Sequence, residues 1–178
     1  MKISDLNLLN ANDAETWFMQ ICTASKWCQL MTNSRPYTNK ESLIKHATTH
    51  WQSMTQPDYL EAFQGHPMIG DVNSLREKYA ATKVLASNEQ AGAAQADEET
   101  LSRLHSANHE YLNKHGFIFI ICATGLSAQT MLVKLEERLG NSSEQEMQIA
   151  AAEQLKISLL RIDKALSAEQ VFKEKQDD

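Results

Sequence analysis

The sequence predicts an all-α protein, a compact single-domain helical bundle with one short extended segment near residues 117–123. Three observations carry this expectation. Chain breakers are few, with 6 Gly and 3 Pro in 178 residues. Apolar residues recur at helical spacing through most of the chain. The periodic stretches open on capping residues and often close at a glycine.

The elements follow in order. Trp17 and Trp27 lie in the N-terminal stretch and read as core. "TNKESLIKHATTHWQSM" opens with Thr38 and Glu41, spaced as a capping box, and puts Leu43, Ile44, Ala47 and Trp51 on one face. "TQPDYLEAF" offers Pro57 as a first helical residue. "DEETLSRLHSANHEYLNKHG" runs from a cap at Asp97 to Gly116, and "SAQTMLVKLEERLG" from Ser127 to Gly140. The last helix, "SSEQEMQIAAAEQLKISLLRIDKAL", has Ser143 and Glu146 as a further box, and Leu155, Leu159, Ile162 and Leu166 as its apolar stripe. A domain over residues 4–166 is expected, with a polar tail at 167–178.

"FIFIICAT", residues 117–124, breaks the pattern. Taken alone it is a short buried strand, rich in β-branched and aromatic residues. It has no partner strand in an otherwise helical chain, so an extended core segment is the alternative. Its backbone groups then need other partners, and spare N–H groups there could receive a ligand.

Bulk properties exclude several functions. A net charge of −6 argues against nucleic-acid and anionic-membrane binding, which need a basic surface. The longest apolar run, "FIFIICA", is too short to span a bilayer, and the first residues lack a signal-peptide core. Three cysteines, Cys22, Cys28 and Cys122, without framework spacing point to free thiols in a reducing compartment. No metal motif is present. His46 with His50, and His105 with His109, are spaced i, i+4 without a third ligand and read as helix surface. The ending "KEKQDD" is not a peroxisomal address.

Three residues remain as candidates for chemistry. His66 sits between Gly65 and Pro67, where proline disfavours the α conformation of the preceding residue. It is either a loop histidine bonded to nearby backbone or a general acid/base. Ser87 and Gln90 fit a capping box, which does not require Glu89. Glu89 would stand in a first helical turn, where the dipole favours a carboxylate and a base can be oriented. Arg161 lies at the margin of the last apolar stripe. It is either snorkelling or presenting its planar fork to a carboxylate or ureido carbonyl.

Together, "LNLLNANDAETWFMQICTASKWCQLM", "RPYTNKESLIKHA", "FQGHPMIGD", "SNEQAG", "ANHEYLNKHGFIFII" and "LKISLLRIDKAL" resemble, in content and order, the OHCU decarboxylases, where OHCU is 2-oxo-4-hydroxy-4-carboxy-5-ureidoimidazoline. The resemblance covers roughly residues 4–166. It implies an all-helical, usually homodimeric, cytoplasmic lyase of purine catabolism that forms S-allantoin from OHCU in the last step of urate oxidation. It implies no metal and no organic cofactor.

The same resemblance implies His66, Glu89 and Arg161 as catalytic residues. It implies Pro67, Ser87, Gln90, Phe119, Ile120 and Ile121 as substrate-binding residues, with backbone amides of the "HGFIFII" segment meeting the substrate's ring carbonyl region. Two positions depart from the family pattern. Ile118 stands where the family has proline, and His115 where it has an aromatic. Ile118 also fits a relative that acts on another ureido or imidazolone substrate. A non-catalytic helical interaction domain would instead leave His66, Glu89 and Arg161 apart, each satisfied locally.

Overall fold

The computed structural model describes residues 1–66 and 98–167. Among these residues the regular structure is helical throughout. The helices are α1 (Ile3–Leu8), α2 (Ala11–Ile21), α3 (Ser25–Asn33), α4 (Lys40–Gln52), α5 (Gln56–Gln64), α6 (Glu98–His115), α7 (Ala128–Leu139) and α8 (Ser143–Ser167). The described residues divide into two units. One holds the chain up to Gly65 and the part of α8 from Ala151 on. The other runs from His66 to Ala150.

The first unit is built on α2 to α5 and the C-terminal part of α8. Asn10 caps α2 by accepting from the Asp13 N–H at 2.9 Å. Ala14, Trp17, Phe18 and Ile21 then fall on one buried face, the spacing a helix needs to bury a stripe. Phe18 meets Trp17, Trp27 and Tyr37 edge to face, at centroid distances of 5.0, 5.9 and 6.4 Å. Pairs of this kind add about 0.5–1.5 kcal/mol each beyond area burial. Both tryptophans of the N-terminal stretch are core, as expected.

The buried indoles also need polar partners. Trp27 donates to the Ala47 carbonyl at 3.1 Å, and Trp51 to the Ala151 carbonyl at 2.9 Å, joining α4 to α8. Lys40 on α4 pairs with Asp163 on α8.

Two capping expectations are corrected. α4 is capped by Asn39, whose side chain accepts from the Ser42 N–H at 2.8 Å, so Thr38 and Glu41 are not its box. The box opening α8 is Ser142 with Gln145, one residue before the expected Ser143 with Glu146. Pro57 takes the second position of α5 rather than the first, still within the first turn.

The α8 stripe is also shifted. The fully buried line is Ala151, Gln154, Ser158 and Ile162, while Leu155, Leu159 and Leu166 flank it half-buried. Ser158 satisfies itself by donating to the Gln154 carbonyl one turn back, at 3.0 Å.

The second unit packs α6 against α7. Leu101, Leu104, Asn108, Tyr111 and His115 line the buried face of α6. Ala128, Met131, Leu132, Leu135 and Arg138 line that of α7. Gly116 ends α6 at φ +78°, a left-handed conformation open to glycine, as its placement after the last helical residue predicts. Ser127 caps α7 through the Thr130 N–H at 3.1 Å. Between the two helices, residues 118–123 form neither helix nor strand pairing. The strand alternative does not form among the described residues.

Candidate active site

His66 stands at the bend after α5, half-buried. The end of α5 is held by contacts the sequence pattern does not announce. Thr23, between α2 and α3, donates its hydroxyl toward the Glu61 and Ala62 carbonyls at 3.1 and 3.3 Å. The Ala62 carbonyl also accepts from the Gly65 N–H at 3.2 Å, so the threonine hydroxyl adds to the bonds that close this last turn. A Cβ on residue 65 would lie 2.3 Å from Thr23 Oγ1 and 2.6 Å from its Cγ2, so this approach requires Gly65.

The Glu61 carboxylate accepts from the Ser25 N–H at 3.1 Å and from the Ser25 hydroxyl at 2.5 Å, tying the start of α3 to α5. His66 therefore follows a helix terminus fixed by Thr23 and Ser25.

Arg161 lies half-buried on α8, and its Nη1 donates to the Ile21 carbonyl at the end of α2, at 2.8 Å. Ile21 is its hydrogen-bond partner among the described residues. A guanidinium carries five N–H donors in a fixed fork, so one bond orients the group while the others remain for an acceptor. Burial pushes the Cys22 thiol above its ordinary value, although the Ala24 backbone and the Arg161 charge act against it.

In the second unit, Phe119 and Ile120 are buried and Ile121 is half-buried, all on the segment between α6 and α7. Among the described residues, none accepts a hydrogen bond from the N–H groups of these three. The segment's carbonyl side is held instead. Arg138 Nη1 donates to the Ile120 carbonyl at 2.8 Å, and its guanidinium lies 4.5 Å from the Phe119 ring centre. Arg138 Nε donates to Glu146 at 2.8 Å, and Nη2 to the Tyr111 hydroxyl at 3.3 Å.

Glu146 is fully buried and accepts also from the Tyr111 hydroxyl at 2.5 Å and the Asn141 amide at 2.6 Å. Burial, followed by the bond to Glu146, pushes the Tyr111 phenol up. A buried ion pair is tolerable when its remaining lone pairs and protons are met in this way.

Sequence reasoning missed this cluster. "SSEQE" contains two overlapping boxes, and the helix uses the first, which releases Glu146 from capping. Arg138 sits in the last turn of α7, where a cation is already accounted for by the helix dipole. The signal available was that Glu146 is superfluous once Gln145 is taken.

His115 is buried, with Nδ1 2.9 Å from the Ser143 hydroxyl and Nε2 buried without a partner among the described residues. Burial holds its imidazole below the ordinary value. The charge of Glu146 opposes this, while those of Lys114 and Arg138 add to it. His46 and His50 are not plain surface. His46 meets the Tyr37 ring at 5.6 Å, and His50 Nε2 lies 2.7 Å from the Ser34 hydroxyl.

The structure thus brings Phe119, Ile120 and Ile121 onto one segment. It places His66 in the second unit and Arg161 in the first. Pro67, Ser87, Glu89 and Gln90, with the expected cap Asp97, lie outside the described residues. Among the described residues, no group of three or more His, Cys, Asp and Glu is arranged to hold a metal, and no helix is long and apolar enough to cross a membrane.

The family model described as OHCU decarboxylase matches residues 7–163. The chain belongs to the OHCU decarboxylase family. It is 36% identical over 148 residues to an Arabidopsis thaliana protein named uric acid degradation bifunctional protein TTL. That match covers 82% of this chain but 45% of the relative, so the chain spans less than half of that protein. It is 28% identical to the 2-oxo-4-hydroxy-4-carboxy-5-ureidoimidazoline decarboxylase of Amia calva, over 73% of this chain and 74% of the relative.

Among solved structures, an OHCU decarboxylase crystallised in the presence of (S)-allantoin is 35% identical. It matches with a TM-score of 0.70, over 86% of this chain and 98% of that one. The all-helical expectation is the fold of this family.

Proposed function

We propose that this OHCU decarboxylase family member converts OHCU to (S)-allantoin by cofactor-independent decarboxylation, the last step of urate oxidation. The observation that carries the reading is the family match over residues 7–163. The 35% identical structure obtained with (S)-allantoin supports it. We further propose that residues 4–166 act as one catalytic domain of a cytoplasmic homodimer, with residues 167–178 as a tail.

Loss of CO2 from OHCU leaves an electron pair on a ring carbon. The adjacent imine and carbonyl can delocalise it, so no pyridoxal-type sink is required. The protein has to position the carboxylate, stabilise the developing charge and deliver one proton to one face.

In this reading His66 transfers the proton, at the hydroxyl or the ring carbon. The anchored end of α5 suits that role, because stereospecific protonation needs an acid of fixed position. Glu89 orients His66 or accepts from the ureido N–H groups. Arg161 presents the remainder of its fork to a ureido or ring carbonyl, or to the carboxylate. Phe119, Ile120 and Ile121 offer backbone N–H groups to the ring oxygen. Pro67, Ser87 and Gln90 contact the substrate's edges.

The test is turnover of OHCU made in situ from urate by uricase and hydroxyisourate hydrolase, followed by circular dichroism. Rapid growth of the S-allantoin signal is expected. Allantoin formed only at the spontaneous rate, and racemic, would overturn the reading.

A further inference from the structure

Within the second unit, the cluster around Arg138 does more chemically than fill space. Its Nη1 bonds the Ile120 carbonyl at 2.8 Å. That carbonyl and the N–H of Ile121 belong to one planar peptide group, which is trans, so they point in opposite directions. Holding the carbonyl therefore sets the direction of the Ile121 N–H.

The bond is also charge-assisted, and donation to a peptide oxygen polarises the peptide and strengthens its own N–H as a donor. Glu146 and the Tyr111 hydroxyl fix the guanidinium that does this, and the Phe119 ring lies under it at 4.5 Å. Among the described residues the segment forms no strand pairing, so a side chain supplies the registration that a neighbouring strand would otherwise give.

We propose that Arg138, locked by Glu146 and Tyr111, is a positioning residue for decarboxylation: by holding the Ile120 carbonyl it aims and strengthens the Ile121 N–H as the donor that stabilises charge on the substrate's ring oxygen. The inference rests on the reading above, in which this segment's N–H groups meet the substrate. A donor that acts on developing charge contributes to kcat more than to KM.

The experiment compares the full-length wild type, Arg138→Lys, and the double variant Arg138→Met with Glu146→Met. Lysine keeps a buried cation beside Glu146 but lacks the fork that reaches Ile120 and Tyr111 together. The double variant removes both charges, so no lone buried charge threatens the fold. For each, kcat and KM on OHCU are measured, and the Ile121 amide resonance is followed by nitrogen-15 NMR. Both variants are expected to lose about tenfold or more in kcat, less than the full removal of an oxyanion donor, with KM within about twofold. The Ile121 amide signal should move in both.

Wild-type kcat in either folded variant would overturn the proposal. So would a rise in KM alone, or a fall in kcat with the Ile121 amide unmoved, which would mean general loosening. A wild type inactive on OHCU would instead sink the functional reading, a result distinguishable from each of these.

Discussion

Two arginines, each 2.8 Å from a main-chain carbonyl, are put to opposite uses. Arg138 is buried and distributes its donors over Glu146, Tyr111 and the Ile120 carbonyl. Arg161 is half-buried and, among the described residues, bonds Ile21. The first is consumed by the protein and rigidifies a segment. The second makes one main-chain bond among the described residues. In sequence both are arginines on helices with an apolar stripe. What separates them is the count of partners around each fork, which depends on residues distant along the chain.

This contrast can be broken in order of effect. Glu146→Leu strands the buried Arg138 charge, and unfolding by urea should show a loss of about 3–5 kcal/mol. If the loss were below about 1 kcal/mol, as for an exposed pair, the cluster would not be the buried unit described. Arg161→Ala should do the reverse, lowering kcat/KM on OHCU by about a hundredfold, the scale of a lost charge-stabilising donor, with thermal stability little changed. Equal damage to activity and melting temperature would make Arg161 structural.

Gly65→Ala tests the anchoring of α5. Its Cβ would meet Thr23 at 2.3 Å, and overpacking of this kind costs about 1–3 kcal/mol in denaturant unfolding. Asn39→Ala should cost about 1 kcal/mol as a lost cap, and Thr38→Ala clearly less, which separates the observed cap from the expected one.

The smallest effect is on pH. The unfolded chain binds the His115 proton near the ordinary value of 6.5, while burial in the folded chain delays it to lower pH. Stability is therefore intact above about pH 6.5 and declines as pH falls through that value. His50, also held down by burial and by His46, contributes with the same sign. Melting curves of His115→Phe between pH 7 and 5 should show a shallower decline than wild type, and an unchanged slope would contradict this assignment.

Much of the helical fold was legible because it depends on local signals. Gly116 had to end α6, Ser127 had to cap α7, and the Leu43, Ala47 and Trp51 face had to be buried. Errors arose where two local solutions compete. Asn39 stands beside Thr38, and Ser142 with Gln145 beside Ser143 with Glu146, so spacing cannot rank them. The α8 stripe was misread because leucines outweigh Gln154 and Ser158 on any hydropathy scale. Packing nevertheless placed the small and polar line innermost, where Ser158 bonds the helix backbone itself.

For the candidate site, the sequence pattern points to His66, but the contacts of Thr23 and Ser25 that hold the end of α5 before it span some forty residues of chain. The Arg138 cluster was invisible for the same reason. It joins residues from α6, α7, α8 and the segment between α6 and α7, and no single stretch carries its pattern.

The most direct test of the central claim is the rate at which (S)-allantoin forms from in situ OHCU with wild type and His66→Ala in parallel, at matched folded concentration. The account predicts rapid formation of the S enantiomer by wild type. It predicts a fall to the spontaneous, racemic rate in the variant, with an unchanged melting temperature. Near-wild-type turnover by His66→Ala would contradict it.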